Sequence, residues 1–164
     1  SKSHKPYLSK IGGIPFMDKA DYPYYNNSPL IFLGQISLEQ IKEYNSILPK
    51  NGIIYFFINN DTTNLSKVFK VLYFENSNLQ NTDTFSAEIK IIDEYYLSFH
   101  ESYSFPSYQE SVIEELGITD EDQGIVEDII FEQNSYITNH EYDVTHQILG
   151  HPQAIQGTVR FWWA

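Results

Sequence analysis

Leu30-Ile31-Phe32-Leu33-Gly34-Gln35-Ile36 and Ile53-Ile54-Tyr55-Phe56-Phe57-Ile58 are the two runs that decide the fold. Neither contains a charged residue. Both have strand length and are rich in β-branched and aromatic side chains, which suit a pleated, packed surface. The second is bounded by Asn51-Gly52 and by Asn59-Asn60-Asp61, turn-forming clusters that close a strand at both ends. The first is apolar at consecutive positions, which predicts a strand covered on both faces. Gln35 is the exception within it. A buried amide left without partners costs about 1–3 kcal/mol, so its side chain must be satisfied. Two partners are open to it: a bound ligand, or the backbone of the N-terminal segment, which would make Gln35 a structural tie.

Working outward, residues 1–29 are rich in turn formers: Gly12-Gly13, Pro15, Pro23 and Asn26-Asn27-Ser28-Pro29. They read as an irregular segment wrapped on the sheet, with Gly12-Gly13 as a turn needing positive φ. Ser37 and Gln40 have the spacing of a capping box, and Leu38, Ile41 and Leu48 follow near helical spacing, so a short helix is expected before Pro49. Val68–Phe74 and Ala87–Ile92 read as further strands. In the second, Ala87, Ile89 and Ile91 alternate with Glu88 and Lys90, the pattern of one buried and one wet face. Glu94–Phe99 extends it or forms another strand.

Beyond Pro106 the pattern turns helical. Ser107-Tyr108-Gln109-Glu110 is a second capping box, Val112, Ile113 and Leu116 form an apolar stripe, and Gly117 ends it. Thr119 caps a second helix, expected to reach Phe131, in which Ile125 pairs with Ile129 and Val126 with Ile130. From Asn134 to Pro152 the chain reads as polar and irregular. The fold class expected is α+β and β-rich: an antiparallel or mixed sheet with two or three short helices, in a single domain over residues 1–164.

Composition excludes several function classes. Cysteine is absent, which removes disulfides, thiol catalysis and cysteine-ligated zinc, and fits a cytoplasmic protein. No apolar run approaches the roughly 20 residues that span a bilayer, so no membrane role is expected. Net charge is −12, from 22 acidic and 10 basic side chains. Nucleic acid requires a positive footprint and is not an expected partner; an acidic surface instead steers towards a basic protein partner. The 13 Tyr and 11 Phe are accounted for by sheet packing without an aromatic ligand platform.

The residues that could carry chemistry cluster late in the chain. His146 and His151 are five apart, not four with an intervening glutamate, so they do not make a zinc-protease helix. A loop site would have to gather His140, Glu141, Asp143 and His146, yet solvated polar loops are far commoner than metal sites, and no resident metal or cofactor is expected. No serine lies in a nucleophile elbow, and Gly12-Gly13 lacks the remainder of either phosphate-binding fingerprint. The carboxylate pairs Glu114-Glu115 and Glu127-Asp128 fall on polar helix faces. Candidate ligand-contacting residues are therefore Gln35, Asp143, His146, His151 and Gln156, with Gln156-Gly157 equally readable as a turn.

The order of motifs resembles the YwqG-like family, also labelled DUF1963, bacterial proteins of unknown function. Lys10-Ile-Gly-Gly-Ile-Pro-Phe16 is similar to its early Gly-Gly-x-Pro turn, and Pro29–Ile36 to its apolar strand ending in Gln-Ile. Leu48-Pro-Lys-Asn-Gly52, running into the strand to Ile58, is similar to its Leu-Pro-x-x-Gly opening, and His146–Gly157 to its late Gly-x-Pro…Gln-Gly segment. Met17-Asp18 departs from the proline that members often carry there. Members also continue past the Gln-Gly segment with a further strand pair, whereas this chain stops at Arg160-Phe-Trp-Trp-Ala164, so the resemblance implies a domain incomplete at its C-terminus. The function expected is a non-enzymatic module binding a protein partner. The alternative is a hydrolase or metal-dependent enzyme using the polar segment 140–151.

Overall fold

The computed structural model describes residues 5, 7–59, 69–75, 89–101, 104, 106, 111–138 and 147–150. The chain divides into two compact units, Ser1–His100 and Glu101–Ala164.

The first unit is built on an antiparallel sheet. Its strands are β1 (Lys10–Ile11), β4 (Ile31–Ser37), β5 (Ile53–Ile58), β6 (Phe69–Phe74) and β7 (Tyr95–Tyr96), in the spatial order β6-β5-β4-β1-β7. A separate two-stranded ribbon pairs β2 (Tyr24–Tyr25) with β3 (Ser28–Pro29). The two uncharged apolar runs form β4 and β5, and each strand has a hydrogen-bonded neighbour on both sides. The fold is thus α+β and strand-rich, as its composition predicts.

The register of β4 against β5 positions everything that follows. Phe32 lies opposite Phe57, but a bulge between Phe32 and Gly34 shifts the pairing, so that Gln35 lies opposite Tyr55 and Ser37 opposite Ile53. Simple alternation would put residues 32, 34 and 36 on one face. The extra residue changes the parity, as a β-bulge does, and Phe32, Gln35 and Ser37 become the buried set. Gly34 is required beside the bulge, because a Cβ there would sit 2.7 Å from the Lys10 carbonyl oxygen of β1.

Phe32, Ile53, Tyr55 and Phe57 supply the sheet side of the core, which is closed by Met17, Tyr22 and Leu30 from the N-terminal segment. Tyr22 stands edge-on to Phe57 at 5.4 Å, and Phe57 is tilted against Phe32 at 5.6 Å, ring distances at which aromatic pairs attract. The Tyr22 hydroxyl donates to the Leu30 carbonyl at 2.6 Å, which satisfies its polar end inside the core. The opposite face of β5 and β6 is apolar too, and opens to solvent towards the sheet edge, where Phe69, Val71 and Tyr73 are exposed.

Three local expectations are corrected. Ser37 makes no side-chain cap, and Leu38–Gln40 is a single 3-10 turn, because the Gln40 side chain accepts from the Ser9 N–H at 2.6 Å and so does not reach back to Ser37. Residues 89–92 form no strand, and Ile91 is exposed; only Tyr95–Tyr96 pairs, with β1. The second helix runs beyond Phe131, and Asn134 lies inside it, since neither glycine nor proline interrupts the sequence between Gly124 and Gly150. Ile125 and Ile129, the pair four apart on this helix, are exposed.

In the second unit α1 (Ser111–Glu115) ends at Gly117, whose φ of 74° lets the Ile118 N–H return to the Ile113 carbonyl at 3.1 Å. α2 (Gln123–Thr138) follows a 3-10 turn, Asp120–Asp122. The capping box expected at Ser107–Glu110 and residues 87–88 lie outside the described residues.

Candidate functional site

A row of side chains crosses the first unit's sheet on its buried face. Cross-strand partners point the same way, and the register aligns Tyr55, Gln35, Lys10 and Tyr96 on four adjacent strands; the first three are buried, and Tyr96, on the edge strand, is exposed. Gln35 is fully buried. Its Oε1 accepts from the Phe16 N–H at 2.9 Å, and its Nε2 donates to the Leu8 carbonyl at 2.8 Å. The Tyr55 hydroxyl donates to the Phe16 carbonyl, so neighbouring members of the row hold both peptide groups of Phe16. Burial, then the charge of Asp21, raises the Tyr55 phenol above its ordinary range. Ser9 continues the pattern: its Oγ accepts from the Ser37 N–H at 2.8 Å, and its carbonyl accepts from Leu97 at 3.0 Å.

Lys10 is the most unusual member. Its side chain is 1 % exposed, and its Nζ donates to Glu94 Oε2 at 2.7 Å; Glu94 is 25 % exposed. A buried ammonium is tolerated only when it is paired, and this pair spans 84 positions of sequence. Glu94 also acts on Tyr96. Burial, with the Glu94 hydrogen bond and its negative charge, raises the Tyr96 phenol. Lys10 and Glu94 escape a sequence reading. The only signal for Lys10 is its position directly before the Ile-Gly-Gly turn, and Glu94 sits in an unremarkable Asp-Glu pair.

Of the five residues singled out by sequence, Gln35 lies in this row. Asp143, His146, His151 and Gln156 lie outside the described residues. Among the described residues no group of three or more His, Asp or Glu side chains is placed to hold a metal ion, and no helix is long and apolar enough to cross a membrane.

Charge separates the two units. Residues 1–100 hold 10 acidic and 9 basic side chains; residues 101–164 hold 12 acidic and 1 basic. Asp122 is fixed in this acidic region by hydrogen bonds from the Thr119 N–H and hydroxyl, at 3.0 and 2.8 Å, which lower its carboxyl below the ordinary value. On α2, Glu127, Asp128 and Glu132 are exposed.

A family model described as "Domain of unknown function (DUF1963)" matches residues 9–162. The chain belongs to the DUF1963 family. No curated protein matches it. The DUF1963 match starts at Ser9, one residue before the buried lysine, and takes in both the tied sheet and the acidic region. In this DUF1963 domain Lys10, Gly34 and Gln35, which stand in the motif segments, are the residues that join β1, β4 and the N-terminal segment.

Proposed function

We propose that this DUF1963 domain is a non-enzymatic, cytoplasmic interaction module that binds a basic protein partner. The observation that carries the reading is the segregation of charge: the single basic residue of the 101–164 unit, Arg160, stands against 12 acidic ones. A field of one sign on a compact unit steers an oppositely charged partner and repels nucleic acid and anionic lipid. The polar row of the sheet is consistent with a scaffold, since the hydrogen bonds of Gln35, Tyr55 and Ser9 described above all run to the chain's own backbone. An enzyme built on residues 140–151 finds no support in the described part of that segment, Gln147–Gly150, which has no ionisable side chain.

The test is capture from native lysate on the immobilised chain at low and high salt, beside the charge-reversed variant Asp128→Lys/Glu132→Lys. A protein retained at low salt, released at high salt, lost by the variant and binding the domain once purified supports the reading. Capture that ignores both salt and charge reversal contradicts it.

A further inference from the structure

We propose that the exposed face of α2 carrying Ile125 and Ile129 docks a basic amphipathic helix of the partner. The inference rests on the reading of the domain as a binder of basic protein and specifies the surface and the partner's form.

Ile125 is 63 % exposed and Ile129 42 %. They stand one helical turn apart, so their side chains are neighbours. Asp128 and Glu132 are also four apart and exposed, and each lies three positions after one of the isoleucines. The outer surface of α2 therefore presents two parallel ridges of the i, i+4 type, one apolar and one anionic. Helices pack by seating such ridges in each other's grooves. An incoming helix with a leucine row beside a lysine or arginine row, at the same spacing, would cover the isoleucines and pair with the carboxylates together.

Charge selects this occupant over others. A second copy would bring the same carboxylate ridge into contact with this one, inside a unit holding 12 acidic residues to 1 basic, and like charges brought together oppose docking. Anionic membrane and nucleic acid are disfavoured for the same reason. A neutral apolar helix would cover the isoleucines but leave Asp128 and Glu132 desolvated without partners.

The experiment titrates the full chain with two synthetic peptides of about 18 residues, five helical turns. Both consist of leucine and lysine in the same proportion. One places leucine at helical period; in the other the order is scrambled. The periodic peptide is expected to bind about tenfold more tightly than the scrambled one. Ile125→Ser/Ile129→Ser should erase that advantage while the far-ultraviolet circular dichroism is unchanged, whereas Asp128→Asn/Glu132→Gln should weaken both peptides. Gly124→Ala, at an exposed position where an added Cβ meets nothing within 4 Å, should leave both affinities as they are. Equal affinity of the two peptides, or an unchanged advantage in the isoleucine variant, overturns the docking face and leaves the broader reading standing. Self-association abolished by the isoleucine variant also overturns it, because the occupant would then be a second copy. Binding of neither peptide removes both proposals.

Discussion

The units Ser1–His100 and Glu101–Ala164 handle polar groups in opposite ways. In the first, polar side chains turn inward. Gln35, Ser9 and Lys10 are buried and spent on the backbone or on Glu94, and the formal charges nearly balance. In the second, Glu115, Glu121, Glu127, Asp128 and Glu132 are exposed, the sequence supplies a single basic residue against 12 acidic ones, and Ile125 and Ile129 are exposed on the same helix as three of these carboxylates. Buried polar groups make a fold specific, since each must find its partner. Unpaired surface charge adds little to a fold and much to long-range attraction. Under the proposed reading, this contrast gives the first unit an architectural part and the second the part that meets a partner.

The comparison breaks most easily at Glu94. Glu94→Ala strands the buried Lys10 ammonium, and the expected loss is about 4 kcal/mol in urea unfolding. Lys10→Met/Glu94→Leu, which removes both charges, should recover most of it. If Glu94→Ala is neutral, the pair has no structural role and the first unit is less dependent on inward polar groups than argued.

Next in size is Gln35→Leu. It leaves the Phe16 N–H and the Leu8 carbonyl without their partner, at an expected cost of about 3 kcal/mol. Hydrogen exchange should rise first over residues 7–17, the segment this side chain ties down. A uniform rise across the sheet would show that Gln35 supports packing generally.

A smaller effect is expected at high pH. Burial, with the neighbouring Tyr24, pushes the Tyr22 phenol up to about 12 from 10.0. The folded state therefore keeps this proton where the unfolded state has lost it, so its contribution is complete below pH 10 and is lost as pH rises through about 12. Stability followed from neutral pH to pH 12 should fall through that window, and Tyr22→Phe should flatten the slope, at the cost of the hydrogen bond to Leu30. A wild-type slope unchanged by the substitution would assign the alkaline loss to other groups.

How much of this was legible depends on the range of each interaction. β4 and β5 could be read because their apolar character is local, and the need of Gln35 for partners followed from its setting. Which way Gln35 faces could not be read: the bulge between Phe32 and Gly34 changes the parity of the strand, and the reason for it, the approach of the Lys10 carbonyl to Gly34, comes from another strand. Lys10 and Glu94 were missed for the same reason, with 84 positions between them. Local pattern also misled. The alternation at Ile89 and Ile91 promised a strand, but among the described residues 89–101 the chain pairs only at Tyr95–Tyr96. Of the candidate site, the net charge could be read at once, whereas its meaning required the division into two units.

The most direct test of this division of labour measures stability and partner capture side by side in Gln35→Leu and in Asp128→Lys/Glu132→Lys. The account predicts a crossed result: the first variant loses stability and, at temperatures where it is folded, captures the partner normally; the second keeps its stability and captures nothing. Normal capture by the charge-reversed variant, or lost capture by folded Gln35→Leu, would contradict it.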